Sequence, residues 1–217
     1  MDLYIANKNY STWSLRAWIL LKKFNLDFNE HNLKLETDDF TKTLSNIAPI
    51  AKVPVLIDNN ITVWDSLAIC EYINETYLSN QGWPSDPSHR VKARALAAEM
   101  HSGFNSLRNQ LPMNIRAKRK VALTQQSLAD IARIEQIFSE QHAQFEQQGG
   151  WLFGEWGIVD AMYAPVALRF KTYGITLNAS ASAYMNKVLS CEVLAEWITD
   201  ALKETEIVAM DEAGEEL

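Results

Sequence analysis

Two short stretches place hydroxyl side chains at the start of a helix. One is Asn9-Tyr10-Ser11-Thr12-Trp13-Ser14, directly after the strand candidate Leu3-Tyr4-Ile5-Ala6. The other is Asp65-Ser66, directly after Ile61-Thr62-Val63-Trp64. A helix N-terminus offers unpaired N–H donors and about half a positive charge, so an anion suits either start. Asp65 adds a carboxylate, and that site therefore suits a ligand carrying both an ammonium and a carboxylate. In βα units both starts lie at the carboxyl ends of strands, where open sheets bind their ligands. Ser11, Ser14 and Ser66 each also have a plain use as a helix cap worth ~1 kcal/mol, and spacing alone favours that use.

The remaining inventory is thin. The chain has no Walker loop, no GxGxxG, no GxSxG and no HExxH, and its four histidines (His31, His89, His101, His142) pair with no cysteine at ligand spacing. Cys70 and Cys191 stand far apart in apolar stretches, where a thiol behaves as a small hydrophobe. The expectation is an enzyme or binding protein without a metal or a dinucleotide.

The elements that must position these residues can be read from period and punctuation. After the first strand, Trp13, Ala17, Leu20, Leu21 and Phe24 recur at helical spacing, so a helix runs from about Ser11 to Phe24, with Asn25 suited to its end. Phe28–Leu33 reads as a second strand. Asp38-Asp39 opens a short helix to Ile47, which Pro49 stops. Val53–Ile57 and Ile61–Trp64 form a hairpin around Asp58-Asn59-Asn60, and Ser66 is expected to cap the next helix. The order is β-α-β-α-β-β-α. Between Leu78 and Ser88 a run rich in Ser, Asn, Gly and Pro can hold no regular element. Beyond it helices are expected at 88–110, 121–147, 158–173, 181–190 and 192–204. The basic half-turn Arg116, Lys118, Arg119, Lys120 reads as solvated surface, and the acidic end, Asp211 to Leu217, as frayed.

Composition agrees. With 217 residues, 47% of them apolar, the chain can bury a full core as one large domain or two small ones. Twenty basic against 27 acidic residues give a net charge of -7, which argues against nucleic acid as the main partner. The longest apolar runs, such as Trp18-Ile19-Leu20-Leu21, stop far short of the ~20 residues of a membrane span, and Asp2 and Lys8 interrupt any signal-like segment. A cytoplasmic protein with no membrane partner is expected.

The stretch Pro49-Ile50-Ala51-Lys52-Val53-Pro54-Val55-Leu56, followed by Ile61–Trp64 and Asp65-Ser66-Leu67-Ala68-Ile69-Cys70-Glu71-Tyr72-Ile73, resembles the glutathione S-transferase superfamily. The likeness extends over nearly the whole chain and is nearest to the serine-type zeta and theta-like classes. Phe40-Thr41-Lys42 lies where zeta enzymes carry Phe-Ser-Lys, and Ser11–Arg16 lies opposite their Ser-Ser-Cys-Ser-Trp-Arg. Trp13 stands in the cysteine position, and Asp39 where a glutamine contacts glutathione.

The resemblance implies an α/β thioredoxin-like amino-terminal domain over 1–78, built on a mixed four-stranded sheet. A linker over 79–88 and an all-helical domain over 89–217 carrying the electrophile pocket would follow. It implies glutathione as co-substrate, a small electrophile as second substrate, no metal, and a homodimer. Pro54 would be the family's cis-proline, presenting the Val53 backbone to the cysteinyl unit. Ser66 would take the γ-glutamyl carboxylate and Asp65 its ammonium, with Lys42 or Lys52 offsetting Asp39 near the glycyl carboxylate. Ser11 would face the sulfur, with Ser14 as alternative and Tyr10 behind both. A serine is too weak a base to remove the thiol proton, but it can donate a hydrogen bond to the thiolate, the nucleophilic form. In the helical domain His101, Arg108, Met113, Asn114 and Arg116 are candidates by position, the two arginines suiting an acidic co-substrate. Gly157 and Asp160 match the family's helix-capping motif, a folding feature. The implied activity is transfer of glutathione to an electrophile. A zeta-like isomerase of the maleylacetoacetate type, or a binding or regulatory relative without turnover, are the alternatives.

Overall fold

The computed structural model describes all 217 residues. Its first half follows the expected order: β1 (Asp2–Ala6), α1 (Thr12–Lys23), β2 (Asn29–Leu33), α2 (Asp38–Ile47), β3 (Val55–Asp58), β4 (Ile61–Trp64) and α3 (Ser66–Thr76). The sheet order is β2-β1-β3-β4, with β1 and β2 parallel and the other pairs antiparallel. This is the mixed four-stranded sheet of a thioredoxin-like domain. Leu3, Ile5 and Leu56 are fully buried from it. Helix α1 is buried from Leu15 to Leu21, and it packs on α3 and on a later helix, α7 (Ile158–Thr172).

The helical half is α4 (Pro87–Ser102), α5 (Asn105–Gln110), α6 (Gln125–Phe145), α7, α8 (Ala179–Leu189) and α9 (Glu192–Ala201). The helix expected over 88–110 is therefore two helices. Gly103 ends α4, and Phe104 lies in the left-handed region (φ 58°). The Arg108 side chain folds back on the break: Nε donates to the Gly103 carbonyl at 2.9 Å and Nη2 to that of Met100. A side-chain donor thus satisfies the carbonyls that end α4, which a helical pattern read residue by residue does not reveal.

Two further expectations fail. Asp65, not Ser66, caps α3: its Oδ1 accepts the N–H groups of Leu67 (2.9 Å) and Ala68 (3.2 Å), and Ser66 is the first helical residue. The acidic end is docked rather than frayed. Glu215 and Glu216 form a short strand, β6, antiparallel to β5 (Arg119–Lys120), the Leu217 N–H donates to the Lys118 carbonyl, and Glu212 pairs with Arg119. The basic half-turn is the surface on which this acidic end lies.

The linker crosses close to the start of α7, where the Ile158 N–H donates to the Gly82 carbonyl at 2.9 Å. A Cβ at Gly157 would fall 2.8 Å from that carbonyl oxygen, so the crossing requires glycine there. Asp160, wholly buried, accepts the N–H groups of Gly157 (3.0 Å) and Leu152 (3.1 Å) and the Tyr184 hydroxyl (2.9 Å). Burial pushes its carboxyl up to about 6 against these three donors. No helix is long and apolar enough to cross a membrane.

Candidate functional site

A cleft of about 510 Å³ opens between the halves at the start of α1, lined by Ser11, Trp13, Lys52 and Val53 on the sheet side and Arg108 and Arg169 on the helical side. A second cavity, of about 300 Å³, shares Trp13, Lys52 and Val53 with it and runs on to Pro54, Asp65, Ser66 and His101. The two sequence stretches singled out for their hydroxyls thus meet in one continuous groove, because β1 and β4 deliver α1 and α3 to the same end of the sheet. The Val53–Pro54 peptide is cis.

Ser11 is the N-cap of α1, its Oγ accepting the Ser14 N–H at 3.3 Å. Its Oγ also lies 2.7 Å from Ser14 Oγ, which in turn accepts the Ala6 N–H at 3.1 Å. Ser14 is fully buried and does not line the cleft. Ser11 is the donor of the hydroxyl pair, so its hydroxyl must rotate away from Ser14 before it can donate to a partner in the cleft. Tyr10 lines the cleft, but its hydroxyl is engaged by Glu212 at 2.6 Å and by Arg116 at 2.9 Å. Burial and the Glu212 carboxylate hold that phenol above its ordinary range.

At the other end Ser66 Oγ is buried and has no hydrogen-bond partner, an orphan of the kind a ligand satisfies. Asp65 has φ 77°, which turns its carboxylate across the helix start. Its Oδ2 lies 3.0 Å from His101 Nε2, so a histidine of the helical half reaches the site. Lys52 is exposed and lines both cavities, whereas Asp39 and Lys42 line neither.

Of the helical candidates, Met113 and Arg108 line the cleft. Asn114 and Arg116 do not: Asn114 bonds Asn9 and Glu212, and Arg116 spends its guanidinium on Tyr10 and the carbonyls of Glu204 and Glu206. Sequence reasoning missed Arg16 and Arg169. Both are buried; Arg16 stacks on the Trp13 ring at 4.3 Å, with Arg108 on the same ring at 4.7 Å. Arg16 Nη1 has no partner, while Arg169 donates to the carbonyls of Arg108 (3.1 Å) and Leu111. Burial, then the like charges of Arg108 and Arg169, push Arg16 well down; burial and Arg108 bring Arg169 to about 10. The signal was available, since a lone arginine amid the apolar residues of α1 or α7 is almost always buried for a reason. Asp211, from the docked end, is the acid of this wall; burial raises its carboxyl to about 6 and Arg169 opposes the rise.

Residues 10–76 match the family model described as glutathione S-transferase, N-terminal domain. A probable maleylacetoacetate isomerase of Caenorhabditis elegans is 30% identical over 118 residues, 54% of each chain. The maleylacetoacetate isomerase of Mus musculus is 32% identical over 108 residues, 49% of this chain and 50% of that one. The matched stretch thus spans about half the length of these curated relatives. In fold the chain is similar to a glutathione transferase homolog from Burkholderia GL BGR1, solved with bound glutathione, at a TM-score of 0.71 and 22% identity over 92% of this chain and 97% of that one. Residues 10–76 are thus similar to glutathione S-transferase N-terminal domains, about half of the chain is similar to maleylacetoacetate isomerases, and the whole is similar in fold to glutathione transferases.

Proposed function

We propose that the chain binds glutathione in the groove, holds its sulfur as the thiolate through Ser11, and adds it to a small electrophile bearing a carboxylate. The observation that carries the reading is the Ser11 hydroxyl, which caps α1 in the cleft wall and can turn from Ser14 to donate to a sulfur there. A free thiol of pKa ~8.5 is only a few per cent ionised at pH 7. Lowering that pKa by two units takes ~2.7 kcal/mol. One charge-assisted hydrogen bond of ~1.5–3 kcal/mol and the α1 dipole at ~0.3–1 kcal/mol are together of that size. The thiol proton leaves to water, not to Ser11, and the sulfur lone pair forms the bond to carbon. As it does so, the electrophile's activated double bond opens and its electron pair takes a proton from water, or a leaving group departs with its bonding pair.

Binding follows from the rest of the groove. The Val53 backbone takes the cysteinyl unit beside Pro54. Ser66 Oγ and its N–H take the γ-glutamyl carboxylate and Asp65 the ammonium. Lys52 takes the glycyl carboxylate. Arg108 and Arg169 on the opposite wall favour an electrophile with an anionic group. The isomerase relatives favour a second reading, in which the thiolate adds to a cis double bond and is expelled after rotation. Consumption of glutathione marks transfer; product at constant glutathione marks isomerisation. Retention on immobilised glutathione without either would leave a binding protein. A cytoplasmic homodimer with a detoxification role is the setting implied by the family, and exposed Ile61 and Trp64 on the edge strand β4 suit a partner surface.

Thiolate absorbance of the glutathione complex, titrated with pH, tests the serine. Ser11→Ala is expected to raise the bound thiol's pKa by one to two units, roughly 1.4–2.7 kcal/mol, with binding largely kept. An unchanged titration transfers the role to Ser14 or Tyr10.

A further inference from the structure

Loops run over the surface because water satisfies their backbone. The loop joining β1 to α1 is instead buried at every position from Asn7 to Tyr10, and much of what satisfies it comes from one distant stretch of chain. The Glu204 carboxylate spans two successive N–H groups, accepting that of Lys8 at 2.7 Å with one oxygen and that of Asn9 at 3.0 Å with the other. The Trp197 indole donates to the Lys8 carbonyl at 2.9 Å, and the Lys8 ammonium meets Asp200 at 2.9 Å. From this clamp the chain turns directly into the thiol site, the N–H groups of Tyr10 and Ser11 both donating to the Asn7 carbonyl at 3.1 and 2.9 Å. Glu204 is held in its turn, its carbonyl by Arg116 and its Oε1 by Asn32 at 3.3 Å.

We infer that Glu204 is a positioning residue for the thiol site: its two oxygens lock the backbone of Lys8 and Asn9 and so fix where Ser11 Oγ stands against the sulfur. The inference rests on the serine reading proposed above. It assigns a role in the sheet half's chemistry to the segment beyond α9, some two hundred residues away in sequence. A carboxylate near a thiolate has two opposite effects, and their signs separate the roles. As a bystander charge, Glu204 disfavours the anion, and its removal lowers the thiol pKa. As a clamp it favours the anion, and its removal raises that pKa.

The test compares Glu204→Gln with wild type and with Glu196→Gln, which makes the same charge change on the exposed face of α9. The glutamine keeps the size, but its NH2 group cannot accept the second N–H. Expected for Glu204→Gln are a thiol titration about one pH unit higher, hence about tenfold less thiolate below the pKa. The KM for glutathione is expected to stay within about twofold while kcat falls. In the free protein, amide hydrogen exchange over residues 7–12 is expected to quicken. Glu196→Gln is expected to match wild type. A titration that falls or stays in place overturns the inference, and so does unchanged amide exchange. A wild-type complex with no low-titrating thiolate counts against the serine reading itself, and the exchange comparison, which needs no ligand, then decides whether Glu204 fixes the loop. Should the glutamine variant not fold, Glu204→Asp, which keeps the charge and shortens the reach, is read the same way.

Discussion

Ser14 never touches the cleft, yet it sets what Ser11 can offer there. Its oxygen accepts the buried Ala6 N–H, and its hydroxyl stands 2.7 Å from that of Ser11. Ser14→Ala leaves the Ala6 N–H unsatisfied, at a cost of about 1–3 kcal/mol, whereas Ser11→Ala loses a cap worth about 0.5–2 kcal/mol. The two variants are therefore expected to sort in opposite order, with the larger fall in urea midpoint for Ser14→Ala and the larger rise in thiol pKa for Ser11→Ala. A titration moved most by Ser14→Ala would make Ser14 the sulfur's donor. At this scale residue type and the strand-to-helix order were enough to bring Ser11, Asp65 and Ser66 to one groove, which all three line, though not to tell that Asp65 rather than Ser66 caps α3. It was silent where use depends on a partner far along the chain. Arg116 was a pocket candidate until the Glu204 and Glu206 carbonyls were seen to hold it, and Arg16 and Arg169 lay unnoticed in apolar helices.

Elements of the sheet half were readable because each is bounded by local chemistry: Thr37 caps α2, Asn25 adopts φ 53° after α1, and the hairpin turns at Asn59 with φ 53°. The α4–α5 break and the docked end were not, because the first depends on the Arg108 side chain folding back on the carbonyls of Met100 and Gly103 and the second on the long-range pair of Arg119 and Glu212. The docked end carries a prediction of its own. Asp211 faces the arginine wall with its carboxyl raised to about 6 by burial, so it is ionised at pH 7 and increasingly neutral as the pH falls below about 6. Its negative charge opposes an anionic co-substrate. The KM for an acidic electrophile is expected to fall between pH 7 and pH 5 while the thiolate fraction, and with it kcat, declines. In Asp211→Asn that KM should already be low at pH 7, by roughly tenfold or about 1.4 kcal/mol, and flat across the range. Steady-state kinetics at fixed saturating glutathione separates the two parameters; a KM that rises in Asp211→Asn would show that the carboxylate helps binding.

The molecule as a whole is built around one shared core. A continuous cluster of 47 buried residues takes in Leu3 and Leu56 of the sheet, Trp18 of α1, and Tyr163 and Trp197 of the helical half. With the principal contacts of α1 made to α7 as well as α3, neither half keeps its interior dry alone. Urea unfolding followed by tryptophan emission and by far-ultraviolet dichroism is expected to give coincident transitions; separated midpoints would mean that the proposed domains 1–78 and 89–217 are independent units. Lys8 sits at the centre of this union. Its ammonium lies 5.0 Å from the ring of Trp18 and 5.3 Å from that of Trp197, between the carboxylates of Glu30 and Asp200. An amine walled in by both halves is out of reach of acylating reagents that mark surface lysines. Covalent labelling of Lys8, read by peptide mass mapping, should therefore stay silent in the native protein and begin only when the halves part, which makes this side chain an internal reporter of their separation.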